Sequence, residues 1–267
     1  MRRIFAIALA LVLLCTASAF AEEFRVGMEC GYAPFNWSQV EQTEGTVPID
    51  GNQGYAGGYD VAIAQLIADG LGRDLVIVKL EWDGLIPALN SGMIDAVIAG
   101  MSPTEERKVS VLFTDNYYKS DLVIVVRKDG AYANATQLSD FAGARITGQL
   151  NTFHYTVIDQ IEGVQKMEAM ETFPSMIVAL NAGVIDGYIS ERPGAESACA
   201  SNPDLTYISF GDNGFVASDD DTAIAVALKL TDTDLCEQIN GILATIDEDT
   251  RTQLMADALA NQPGAAE

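Results

Sequence analysis

One segment of this chain occurs twice. Leu85-Ile86-Pro87-Ala88-Leu89-Asn90-Ser91-Gly92-Met93-Ile94-Asp95-Ala96 is echoed by Met176-Ile177-Val178-Ala179-Leu180-Asn181-Ala182-Gly183-Val184-Ile185-Asp186-Gly187. Each copy reads as a short helix, a Gly that supplies the left-handed helix stop, a turn, and a strand beginning Ile-Asp. Many helix-to-strand connections look alike. Here Ala-Leu-Asn precedes Gly by the same interval in both, which argues for two related lobes rather than coincidence. Around the copies, apolar β-like runs alternate with amphipathic stretches. Strands are predicted over 24–29, 75–79, 94–99, 122–127, 144–147, 185–189 and 222–228. Helices are predicted over 61–71, 85–90, 175–181, 232–246 and 250–260, with others starting at Thr152 and near Glu191. This alternation means mostly parallel sheets flanked by helices, and short continuous apolar strands fit sheets buried on both faces. Open α/β sheets bind ligands beyond the carboxyl ends of their strands, so two facing lobes make a cleft.

The 267 residues allow one large domain or two small ones, and 49% apolar against 20% charged residues is a globular balance that excludes a disordered chain. A formal charge of −23 repels polyphosphate and anionic lipid, which excludes an ordinary nucleic-acid binder. Arg2 and Arg3 before the apolar run Ile4–Leu14, with Ala19-Phe20-Ala21 as an A-x-A site, predict a secretory signal peptide over residues 1–21. The run is too short for a membrane span. Leu14 before Cys15 departs from a lipobox, so a lipoprotein is not expected. Cleavage leaves 246 residues and, with Arg2 and Arg3 gone, takes the charge from −23 to −25. No other run is apolar enough to insert in a bilayer. Cys30, Cys199 and Cys236 stay in the mature chain, an odd number, so at least one is unpaired and buried thiols are the default. No CxxC or Cys/His cluster occurs and His154 is the one histidine, so neither a metal site nor a cofactor is expected.

Longer motifs carry a resemblance. Arg25-Val26-Gly27, Tyr32-Ala33-Pro34-Phe35-Asn36-Trp37, Gly58-Tyr59-Asp60-Val61, the block from Trp82 to Arg107, and Phe113-Thr114-Asp115-Asn116-Tyr117-Tyr118 resemble the polar-amino-acid substrate-binding proteins of ABC importers. The resemblance covers essentially the whole mature chain. It implies an α/β, two-lobed periplasmic-binding-protein fold of type II with two hinge crossings. Lobe one is expected over 24–121 plus 218–267 and lobe two over 122–217. The implied protein is periplasmic and monomeric, binds a free amino acid and delivers it to an importer permease.

Burying an amino acid requires a partner for its carboxylate and its ammonium. Arg107 can clamp a carboxylate through two parallel hydrogen bonds, and the resemblance assigns it that task. Without the motif, an arginine beside Glu105 and Glu106 reads as surface. Ser102 and the Gly100 carbonyl match positions that contact the α-amino group, and Met101 between them is counted with the expected ligand-binding residues. The Asn151-Thr152-Phe153 turn opens a helix whose free N–H groups could accept the same carboxylate. Asn151 stands where the family has Gly, so Thr152 and the Phe153 backbone are the expected contacts. Glu191 stands where the family commonly places an ammonium-binding Asp. Its greater length puts the ligand slightly farther off or admits a water. Its plain reading is an acid favoured at a helix N-terminus. Asp95 and Asp186 read as structural acids.

Specificity is expected from lobe one. Glu29 lies where relatives binding basic amino acids or glutamine use Asp, and Tyr32 and Trp82 match aromatic walls around the ligand side chain. This favours a basic or amide ligand such as arginine, lysine, histidine or glutamine. Arg192 matters only if it enters the cleft, where it would neutralise Glu29 or bind an acid. His154 either lines the cleft or packs beside the helix start. Two alternatives compete: a cyclohexadienyl-dehydratase-like enzyme with Glu191 as its acid, and a ligand sensor for a signalling partner.

Overall fold

The architecture is that of a computed structural model describing residues 21–264, so the expected signal segment lies outside the described residues except for Ala21. Its strands, in chain order, are β1 (Glu23–Met28), β2 (Gly31–Tyr32), β3 (Asn36–Gln39), β4 (Val47–Pro48), β5 (Tyr55–Gly57), β6 (Asp74–Lys79), β7 (Ala96–Val97), β8 (Leu112–Lys119), β9 (Leu122–Arg127), β10 (Arg145–Thr147), β11 (Gln165–Lys166), β12 (Gly187–Glu191), β13 (Leu205–Ile208) and β14 (Ala223–Leu228). They form two five-stranded sheets, ordered β6-β1-β7-β14-β8 and β11-β10-β12-β9-β13. In each, one inner strand, β14 or β9, runs against both of its neighbours. Those two strands are the most continuously apolar, and every residue of β14 and all of β9 except Arg127 is buried.

The repeated segment performs one job in both lobes. Helices Leu85–Ser91 and Phe173–Asn181 end at Gly92 and Gly183, with φ of 79° and 70°. Met93 N–H closes on the Ala88 carbonyl at 3.0 Å and Val184 N–H on Ala179 at 2.9 Å, the same five-residue return. Beyond the turn, Asp95 accepts the Arg25 backbone N–H at 2.8 Å and Asp186 accepts that of Arg145 at 2.9 Å. The acids thus tie β1 to β7 and β10 to β12, the structural role read for them.

Some elements differ from expectation. The strand expected over 94–99 pairs only at Ala96–Val97, because the chain then leaves the sheet for the cleft. The helix expected from Thr152 is one turn, Phe153–Thr156, followed by a 3-10 turn. A small antiparallel sheet, β2-β3-β5-β4, was not foreseen; its strands are two to four residues long, below the reach of periodicity. Cys30, Cys199 and Cys236 are all unpaired, and Cys199 is half-buried rather than buried. The chain leaves the first sheet between β8 and β9 and returns before β14. The two crossings touch where Ser120 N–H donates to the Thr222 carbonyl at 3.0 Å.

Candidate ligand-binding cleft

The carboxyl ends of the strands face each other across a narrow space. Tyr32, Trp82, Gly100, Ser102 and Arg107 line it from one lobe, and Gln149, Thr152, Phe153 and His154 from the other. Its enclosed volume is about 10 Å3, while an outer cavity of about 680 Å3 opens between Trp82, Arg107 and the Asn151–Phe153 turn. An amino acid does not fit the inner space as it stands, so the lobes or Tyr32 must move to admit one.

Arg107 sits between the two spaces. The Thr104 side chain caps its one-turn helix, accepting the Arg107 N–H at 3.4 Å. The guanidinium donates to the Ser102 carbonyl at 3.0 Å and, across the cleft, to the Asn151 carbonyl at 3.2 Å. It lies 5.1 Å over the Trp82 ring, a cation–π contact. Burial lowers it to about 10, so it is charged at neutral pH. Thr152 spends its hydroxyl on the Gln149 carbonyl at 2.7 Å, closing the turn that aims Phe153 at the outer cavity. Met101 is buried, and its carbonyl accepts the Ala225 N–H at 3.1 Å, which holds the segment against β14. Gly100 is backed by a buried cluster: its N–H reaches the Tyr117 hydroxyl at 3.4 Å, which donates to Asp60 at 2.7 Å, while Asn36 donates to the other Asp60 oxygen at 2.8 Å.

Two further buried acids behind the cleft walls, Glu29 and Glu191, differ. Glu29 is 7% exposed; Oε2 accepts from Gln149 Nε2 at 3.1 Å and Oε1 is buried without a partner. Burial pushes it up to about 7, partly offset by the Gln149 hydrogen bond. Glu191 is 3% exposed and fully engaged: His154 Nε2 lies 2.8 Å from Oε1, and the Tyr32 hydroxyl donates to Oε2. Burial is the largest influence on Glu191 and raises it. The His154 charge and the hydrogen bonds from His154 and Tyr32 outweigh that and hold it below the ordinary carboxylate range. Neither acid borders the inner space directly: Gln149 screens Glu29, and Tyr32 and His154 screen Glu191.

Tyr32 crosses fully into the other lobe. Its ring stacks on Phe173 at 3.9 Å and 12°. A Cβ on Gly194 would lie 2.8 Å from that ring, so glycine makes the room. Arg192, left open by sequence, points away from the cleft. It pairs with Asp121 at the crossing, through Nε at 2.9 Å and a second guanidinium contact, and with Ser209 at 3.0 Å. It therefore neither neutralises Glu29 nor offers a site for an acidic ligand.

Sequence reasoning missed Gln149 and Phe173 and left His154 undecided. The repeat held the clue to Phe173, which stands three residues before the second copy as Trp82 stands before the first. Gln149 stands four residues past Arg145 as Glu29 stands past Arg25.

Comparisons with known proteins bear on the family and the fold. The model of the bacterial extracellular solute-binding proteins, family 3, matches residues 24–259. The chain is 31% identical over 181 residues to a probable histidine-binding protein of Campylobacter jejuni, covering 68% of this chain and 64% of that relative. It is 26% identical over 239 residues to the ABC transporter arginine-binding protein 1 of Escherichia coli, covering 89% and 90%. A solved amino-acid ABC transporter substrate-binding protein of Streptococcus pneumoniae, bound to L-arginine, superposes with a TM-score of 0.77 at 27% identity over 89% of this chain and 94% of that one. Arginine-bound, truncated ArgBP from T. maritima gives 0.71 at 31% identity over 84% and 96%. The fold, two lobes on mixed sheets joined by two crossings, is that of these type II periplasmic binding proteins. No helix of the described residues is long and apolar enough to cross a membrane. With the family model spanning both lobes, the chain belongs to the bacterial extracellular solute-binding proteins, family 3.

Proposed function

We propose that this protein is a monomeric periplasmic receptor, exported by its signal peptide, that binds a free cationic amino acid and presents it to an ABC importer permease. L-Arginine is the leading ligand. One lobe comprises residues 24–121 and 218–267 and the other residues 122–217. The observation that carries the reading is the unpartnered, buried Oε1 of Glu29, which stands behind Gln149, a residue lining the same inner space as the Arg107 guanidinium. A half-satisfied buried carboxylate is costly, and a guanidinium supplies the missing donors together with the opposite charge. In this reading the ligand carboxylate takes the Arg107 donors now spent on the Ser102 and Asn151 carbonyls, with Thr152 and the Phe153 backbone beside it. The ammonium lies among the Gly100 carbonyl, Ser102 and Glu191. Tyr32 withdraws from Glu191 and packs with Trp82 along the ligand side chain. Support for the ligand class comes from the arginine-bound relatives. The protein binds without turnover, so arginine incubated with it is recovered unchanged. Titration calorimetry of the mature chain against the twenty amino acids tests the reading. Arginine is expected to bind tightest and aspartate and glutamate not at all; a protein that binds only acidic amino acids overturns it.

A further inference from the structure

Charge balance around Glu191 has a consequence beyond ligand choice. Its carboxylate is buried, and His154 is the only side chain among the described residues that lies within ion-pair distance and can carry a positive charge. His154 is itself 8% exposed and borders the inner cleft. Its Nε2 is spent on Glu191 and its Nδ1 is buried without a partner. Phe173 meets the ring edge-on at 5.8 Å.

We propose that His154 is a positioning residue that carries the counter-charge of Glu191 until a ligand ammonium replaces it, whereupon the imidazole gives up its proton. This rests on the reading that a ligand ammonium binds at Glu191. A buried carboxylate requires one compensating cation, and a second in the same small space is repelled. Imidazolium with carboxylate is neutral, and imidazolium, carboxylate and ammonium together carry an uncompensated charge. Release of the imidazolium proton to buffer restores neutrality. The neutral ring keeps Nε2–H as donor to Glu191, so the carboxylate stays aimed while its charge becomes available to the ligand. In the ligand-free protein the imidazolium leaves its Nδ1–H without an acceptor, a cost offset only by the ion pair with Glu191; once a ligand ammonium takes over that pair, loss of the proton removes the orphaned donor.

Other groups bear on this balance. Tyr32 donates to Glu191, Arg107 and Asp221 line the same inner space, and Asp60 lies behind Gly100. Glu29 takes part most, since pairing with a guanidinium would also release a proton from it. The test therefore separates the two acids.

The chain has one histidine, so an untagged mature protein carrying 13C at histidine Cε1 gives a single imidazole resonance. At pH 6.0, saturating L-arginine is expected to move that resonance toward the neutral form. Calorimetry at the same pH, in buffers of differing ionisation enthalpy, is expected to show proton release that falls by up to one proton in His154→Gln and persists in part in Glu29→Gln. Between pH 5 and 7, each released proton tightens arginine binding by up to tenfold per pH unit, and His154→Gln loses its share of that slope. An imidazole resonance that arginine leaves in the same protonation state, or an equal proton count in wild type and His154→Gln, overturns the proposal while leaving the receptor reading intact. If the wild type binds no amino acid, the receptor reading falls and this proposal with it.

Discussion

The two lobes bring equivalent positions to the cleft and fill them differently. Counting from Arg25 and Arg145, Glu29 faces its counterpart Gln149 and Tyr32 corresponds to Thr152; counting from the repeated segment, Trp82 corresponds to Phe173 and Gly100 to Glu191. Glu29 and Gln149 bond each other across the gap at 3.1 Å. Lobe one thus places Glu29 just past the end of β1 and lobe two places Glu191 at the end of β12, each with a neutral residue at the matching place opposite. The acids also differ in state. Glu29 has an oxygen to spare and a raised pKa, whereas both Glu191 oxygens are taken and its pKa is lowered. A duplicated scaffold can thereby serve an asymmetric ligand: one acid is held ready for a side chain and the other is balanced by its own histidine.

Substitutions at matched positions test this asymmetry. The largest effect is expected at Arg107, which has no charged counterpart in lobe two. Arg107→Ala removes one partner of a buried charge pair, about 3–5 kcal/mol, and should weaken every amino-acid ligand more than a hundredfold by calorimetry. A folded variant within threefold of wild type would remove Arg107 from the site. Next comes Glu29→Gln, which makes the lobes alike at that pair. Arginine should lose about 2–3 kcal/mol of affinity and glutamine less than threefold, because only the cation loses a charged partner; equal losses would show that Glu29 does not meet the ligand.

The same variant has a pH signature. The folded-state value of Glu29, about 7 against an ordinary 4.5, means that the native protein holds this proton more tightly than the unfolded chain. Its contribution to stability is fully present below about pH 4.5 and is lost as pH rises through about 7, a total on the order of 3 kcal/mol. Urea melts should show wild-type stability falling relative to Glu29→Gln across that window; parallel curves would contradict the assignment.

Glu191→Ala should cost on the order of tenfold in arginine affinity and leave the complex more open by small-angle scattering, because it deletes a lobe-two contact and the one that Tyr32 makes across the cleft. Full closure at unchanged affinity would refute a site shared between lobes. The smallest effects are expected at the matched structural acids. Asp186 accepts from the Arg145 backbone and twice from its guanidinium, whereas Asp95 accepts one backbone N–H. Asp186→Ala should therefore destabilise by about 1–2 kcal/mol and Asp95→Ala by about 1 kcal/mol, neither changing ligand preference. Chemical denaturation and calorimetry together check this.

The doubled architecture was legible because a glycine helix stop followed by Ile-Asp is a local pattern, and the long apolar runs of β9 and β14 advertise burial on both faces. Arg107, Tyr32, Trp82, Ser102, Gly100, Thr152 and Phe153 were legible as lining residues through a resemblance, not through periodicity. Other features depended on distant partners. The sequence left Arg192 open between cleft and solvent, and its partner Asp121 lies 71 residues away in the chain. Glu191 was expected to face the ligand openly, and Tyr32 and His154 cover it because Gly194 leaves space for a ring from the opposite lobe. Strands of two residues, such as β2 and β4, leave no pattern to read.

The hydrogen bond between Ser120 and Thr222 limits how this molecule can move. Two strands of chain pass between the lobes side by side and are pinned to each other there. Paired pins define a line, and bodies joined along a line swing about it far more readily than they shear or counter-rotate. Six rigid-body freedoms collapse toward one angle. A single pair of labels across the mouth, one near Asp83 and one near Asn151, whose side chains touch at 2.9 Å, should then report most of the travel between the gaping and shut forms.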